Sequence, residues 1–139
     1  MMPVLSKKRK LITANTLCKD FADLGNITLG AEPLEAYNRC WELSLAFSFY
    51  CAGRGIEARM IRLESPARRL QSPPEVLALV KADKRTYANM VELISHYVVW
   101  LPCQEQYVDW TARQFWPELD HPWIVRKPEL LKFWLAIDP

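Results

Sequence analysis

Between Cys40 and Ala52 the chain reads Cys-Trp-Glu-Leu-Ser-Leu-Ala-Phe-Ser-Phe-Tyr-Cys-Ala before it meets Gly53 and Gly55. No other stretch limits the fold as strongly. It reads as one helix, ended where glycine tolerates the left-handed backbone that helix ends often need. Leu43, Phe47 and Tyr50 repeat at helical spacing, while Trp41, Leu45 and Phe49 fill the opposite side. A helix that is apolar all round is expected to be buried on all sides, so this one is expected to be a central core helix. Cys40 stands in its first turn. A thiol there faces unpaired backbone N–H groups and the positive end of the helix dipole, which favour the thiolate. The plainer reading is that Cys40 is a small buried apolar residue.

At 139 residues, the chain has the length of one domain able to bury a core. Half of it is apolar and 12% is aromatic, so most of it is expected to fold. A formal net charge of +2 makes neither nucleic acid nor a membrane surface an obvious partner. No stretch approaches the roughly 20 apolar residues of a membrane-spanning helix. The basic run Lys7–Lys10 has no apolar segment after it and does not read as a secretory signal. Residues 1–12 read as a basic flexible arm, and delivery by another export route or within a longer chain stays open. The four cysteines, Cys18, Cys40, Cys51 and Cys103, form no Cys-x-x-Cys pair, and the two histidines are not at zinc-ligand spacing. Neither a metal nor another cofactor is called for. Cys40 and Cys51 are about three turns apart on one helix and cannot bridge. If a cysteine is a nucleophile it must be reduced, so the expected site of action is a reducing cytosol.

Taken in order, Asn15 or Thr16 is expected to cap a first helix through Leu24, with Leu17 and Phe21 buried and Gly25 at its end. Residues 27–37 form a connector. After Gly55, period-two alternation from Ile56 predicts a strand to about Leu63, then an exposed proline-rich loop over 64–74. Pro74-Glu75 opens a short helix with Val76, Leu77, Leu79 and Val80 as apolar positions. The stretch 90–101 reads as a strand with His96, Val98 and Trp100 on one face. A turn over 102–105 leads into an antiparallel strand, Gln106–Trp110, and one helical turn over 111–115. A last helix over 128–137 is expected to dock through Leu131, Trp134 and Leu135. The tryptophans at positions 100, 110, 116, 123 and 134 read as core rather than as base-stacking platforms. The fold class is α+β, with helices packed on an antiparallel sheet.

A thiol at a helix start, a histidine in one strand and an aspartate closing the next strand make the set needed for nucleophilic acyl transfer. The imidazole takes or holds the thiol proton, and the carboxylate fixes the imidazole's tautomer. Across a hairpin with a turn of about four residues, His96 and Asp109 can fall side by side. Each has a plainer reading: His96 as a core histidine, Asp109 as the cap of the turn at Thr111. Arg59 and Arg113 read as structural or solvated, and His121 as a loop residue.

Cys40-Trp41, Gly55-Ile56-Glu57-Ala58-Arg59, His96 and Asp109-Trp110-Thr111, in that order, resemble the transglutaminase-like branch of the papain-like superfamily. The run from Tyr107 to Phe115 is similar to bacterial papain-fold toxin domains of the glutamine-deamidase type. The resemblance covers about residues 35–120. It implies a central Cys-bearing helix on an antiparallel sheet, with residues 13–139 as a single papain-like catalytic domain. It further implies Cys40 as nucleophile, His96 as general base and acid, and Asp109 as orienting carboxylate. The implied reaction is thioester formation with a protein glutamine side chain, then deamidation by water or cross-linking by an amine, in an effector or toxin. A cysteine protease and a non-catalytic binding module are the alternative readings. An immunity protein or activator is an implied partner. The oxyanion would be held by the Cys40 N–H and one further donor. Papain spacing puts a glutamine six residues before the cysteine, where this chain has Leu34. Asn38, Trp41 and Gln114 are the candidate oxyanion or substrate contacts.

Overall fold

The computed structural model describes residues 12–25, 27–82 and 93–137. Their order is α1 (Ala14–Asp23), α2 (Pro33–Ala36), α3 (Cys40–Gly53), β1 (Arg59–Pro66), a 3-10 turn (Ala67–Arg69), α4 (Pro74–Ala82) and β2 (Leu93–Leu101). There follow β3 (Gln106–Asp109), a second 3-10 turn (Ala112–Gln114), β4 (Trp123–Val125), α5 (Lys127–Leu130) and β5 (Ala136–Ile137). The strands make one sheet in the order β4-β3-β2-β1-β5, every neighbouring pair antiparallel. The α+β class is as expected. No described helix is long and apolar enough to cross a membrane.

Strand β2 is central because its run Tyr97-Val98-Val99-Trp100-Leu101 can be buried on both faces. Val99 and Leu101 pack with Leu17, Phe21, Leu43, Phe47 and Trp110 under α1 and α3. Val98 points to the other face, as strand alternation requires, among Leu63, Tyr107, Phe115, Trp123 and Trp134. Helices thus cover one face, and the aromatic chain after β3 covers the other. Of the five tryptophans read as core, Trp110, Trp116, Trp123 and Trp134 are buried, and Trp100 is only partly buried, packed against the second cluster.

Helix α3 departs from expectation. Leu43, Ser44, Phe47 and Cys51 are buried, but Trp41 is 53% and Phe49 69% exposed. The sheet and α1 cover only one side of α3, so its opposite stripe meets solvent despite its apolar sequence. Smaller departures have local causes. The cap of α1 is Thr13, whose hydroxyl accepts the Thr16 N–H at 3.0 Å, rather than Asn15 or Thr16. Leu17 and Phe21 are buried as expected, and Gly25 takes φ 66° just past the helix end. The connector holds α2, started by Pro33 in its first turn and a reciprocal Glu32–Glu35 capping box. Strand β1 begins at Arg59 and continues through Pro66, because Glu64, Ser65 and Pro66 pair with Ser95, Ile94 and Leu93. The exposed loop expected there is therefore partly strand.

The tail also differs from the last short helix expected over 128–137. Helix α5 ends at Leu130, and Ala136–Ile137 turns back to pair with β1. Leu130 and Trp134 are buried, whereas Leu131 and Leu135 are 43% and 58% exposed and do not dock. The basic run Lys7–Lys10 and the first residues of the expected 90–101 strand lie outside the described residues.

Candidate active site

Strand pairing carries the site. Leu63 of β1 faces His96, and the last β2–β3 pair is Val99 with Val108. The two strands have therefore parted by the time β2 reaches His96, and Asp109 closes β3 beside that gap. His96 Nε2 lies 2.7 Å from Asp109 Oδ2, with both side chains at or below 1% exposure. The second oxygen, Oδ1, accepts the Thr111 N–H at 2.9 Å. Asp109 both caps the turn and holds the imidazole, one oxygen for each task, so the two readings of this residue are not exclusive. Two aromatic rings, from Trp134 and Phe115, fix the imidazole plane. Trp134 stacks on it at 5.0 Å and 15°, and Phe115 meets it edge-on at 5.1 Å. A stacked indole also favours a cationic ring.

Helix α3 is pinned to the same strand. The buried Ser44 hydroxyl donates to the Tyr97 carbonyl at 3.1 Å, one turn along from Cys40. Beside it the half-exposed Trp41 ring meets Tyr97 edge-on at 4.9 Å. Cys40, half-buried at the first position of α3, thereby faces the β2 segment that bears His96.

The electrostatics follow from that meeting. Burial opposes ionisation of the Cys40 thiol, but the His96 imidazole and the Tyr97 main chain outweigh it and hold the thiol below its ordinary value. Burial likewise opposes a charged His96, yet Asp109 and then Cys40 outweigh it and raise the imidazole well above its usual range. Both shifts favour a thiolate–imidazolium pair. With Nε2 taken by Asp109, Nδ1 is the nitrogen left for the thiol, and it has no aligned hydrogen bond among the described residues. The thiol is close enough to interact with the imidazole without a fully formed hydrogen bond. Cys18 and Cys51 are the reverse case: burial raises both, Cys51 to about 11, so they are inert thiols of the core.

Of the other candidates, Asn38 takes a left-handed φ of 59°, tolerated by asparagine, and leads the chain into α3. Its N–H donates to Gln114 Oε1 at 3.4 Å, which joins the lead-in of the helix to the turn after β3. Leu34 is 53% exposed on α2. Arg59 pairs with Glu57 at the surface, and Arg113 donates to the Leu119 and Ala31 carbonyls, so both have structural partners. His121 lies in the chain before β4, edge-on to Trp110, with burial and then Arg113 lowering its pKa. Trp134, Phe115 and Ser44 were not legible as site residues. Only their packing on His96 and β2 reveals them, and nothing in local spacing signals it. Among the described residues no three His, Cys, Asp or Glu side chains are grouped to hold a metal.

No protein-family model, curated protein or solved structure matches this chain.

Proposed function

We propose that this chain is a thiol enzyme of acyl transfer, and that its substrate is a glutamine side chain of a protein, which it deamidates. One observation carries the acyl-transfer reading: a fully buried His96–Asp109 pair meets a helix-start thiol whose proton affinity is lowered by that same imidazole. The choice of glutamine, the papain-like character of the core and the role of effector or toxin rest on the sequence resemblance.

In the proposed reaction the Cys40 thiolate attacks the side-chain carbonyl carbon, and the carbonyl electron pair moves to oxygen. The oxyanion sits at the start of α3, where the Cys40 N–H has no carbonyl of the same helix to bond. Collapse breaks the C–N bond, with the His96 imidazolium giving its proton to the departing nitrogen, so ammonia and a thioester result. His96, now neutral, takes a proton from water, and hydroxide attacks the thioester. Glutamate leaves and the thiol is restored. Asp109 keeps one imidazole tautomer throughout.

The test is ammonia release and intact mass on candidate cytosolic proteins, with Cys40→Ala alongside. Ammonia together with the mass gain of amide-to-acid conversion, both lost in Cys40→Ala, is the expected result. Substrate fragments instead would mean a protease. Neither product, from a thiol that also resists alkylation at neutral pH, would leave a binding module and overturn the proposal.

A further inference from the structure

Gln114 has a task that the Cys40–His96–Asp109 set does not explain. Its side chain is 3% exposed, at the end of the 3-10 turn that follows Asp109 and Thr111. Its Oε1 accepts the Asn38 N–H. Of the two carboxamide atoms only the oxygen can accept from an N–H, so this bond fixes the orientation of the carboxamide. The other arm, Nε2, carries two donors and has no acceptor among the described residues. Buried donors without acceptors are rare in folded proteins and need a reason.

The location suggests one. Asn38 stands two residues before Cys40, where the 14-residue helix α3 begins and its first N–H groups lack helical partners. Gln114 is therefore clipped by its acceptor end to the lead-in of the nucleophile, with its donor end free. An oxyanion on the attacked carbonyl needs two donors, and the Cys40 N–H supplies one. Leu34, at the papain spacing, has no donor on its side chain.

We infer that Gln114 is the second oxyanion donor, so that one short turn after β3 carries both the carboxylate that orients His96 and the amide that receives the developing negative charge. This inference rests on the acyl-transfer reading and adds a catalytic residue to it. As the Sγ–C bond forms and the carbonyl pair moves to oxygen, Nε2–H and the Cys40 N–H hold that oxygen. When the carbonyl re-forms, the leaving group departs and both donors are released.

Two substrate-independent reactions at Cys40 separate this role from a purely structural clip. Iodoacetamide alkylates by displacement of iodide and makes no oxyanion. p-Nitrophenyl acetate acylates through one, and p-nitrophenolate leaves without needing a proton. Gln114→Met keeps the side chain's length without a charge and loses both donor and acceptor; Gln114→Leu does the same with a branched side chain. Either variant is expected to alkylate within about two-fold of wild type yet acylate roughly 10²–10³-fold more slowly, the usual effect of one lost oxyanion donor. Acylation at the wild-type rate in either folded variant would overturn the inference. So would an equal fall in both reactions, which marks a clip that only positions Cys40. If wild-type Cys40 reacts with neither reagent faster than Cys103 does, the acyl-transfer reading itself fails, and this one with it.

Discussion

If Cys40 and His96 share one proton as a thiolate–imidazolium pair, removing the thiol should change how stability depends on pH. The raised pKa of His96 means the folded chain holds a proton that the unfolded chain releases above about pH 6.5. Alone, that group contributes stability present in full below 6.5 and lost as pH rises toward its folded pKa, at a slope of about 1.4 kcal/mol per pH unit. The lowered pKa of Cys40 acts oppositely. Its contribution is present above the unfolded thiol's value of 9.0 and is lost as pH falls through the folded one. Between 6.5 and 9.0 the two slopes oppose each other, and wild-type stability is expected to be nearly flat. In Cys40→Ala, Asp109 still raises His96 while the opposing slope is gone, so stability should fall with rising pH. From pH 7 to 8.5 the difference between the two proteins should change by up to about 2 kcal/mol, in favour of wild type at the higher pH. The raised thiols of Cys18 and Cys51 act only above 9.0 and do not enter. Urea unfolding of both proteins at half-unit pH steps measures it. Parallel stability curves for the two proteins would refute the shared proton.

Other perturbations have defined outcomes. Asp109→Asn keeps the side chain's shape and the Thr111 contact but removes the acceptor of the His96 Nε2 proton. The ring then adopts the wrong tautomer, and turnover should fall on the order of 10⁴-fold, as in other triads; ammonia release gives the ratio. Trp134→Ala removes the plate stacked on His96 and should cost about 3–5 kcal/mol in denaturant unfolding. Gly30→Ala would bring a Cβ within 2.9 Å of the Trp110 carbonyl and 3.0 Å of the Ala36 Cβ. It should cost roughly 1–3 kcal/mol by overpacking, read from the urea midpoint.

The sequence reveals the parts of this site that are local. A thiol at a helix start, a strand with His96 on one face, a short turn, and a strand ending at Asp109 are each set by neighbours within a few residues. The structure places His96 against Asp109 and the Cys40 thiol beside His96. What escapes sequence reading depends on distant packing. Trp134 lies far along the chain from His96, in a tail that reads as one helix; the chain bends after Leu130 because β1 has an open edge for Ala136–Ile137 to join. The exposure of Trp41 and Phe49 escapes for the same reason. An all-apolar helix signals burial, but which side is covered depends on where the sheet lies. Gln114 was legible as a candidate donor by type, though not by its clip to Asn38.

The measurement that reaches the central claim most directly is the iodoacetamide reactivity of each cysteine as a function of pH, followed by peptide mass. Cys103, exposed on the β2–β3 turn, is an internal standard in the same molecule. The account predicts that half-buried Cys40 is alkylated ahead of exposed Cys103 at pH 6–7, and that this lead disappears in His96→Ala. If Cys103 reacts first at every pH below 9, Cys40 carries no paired thiolate, and the Cys40–His96–Asp109 site is not a catalytic one.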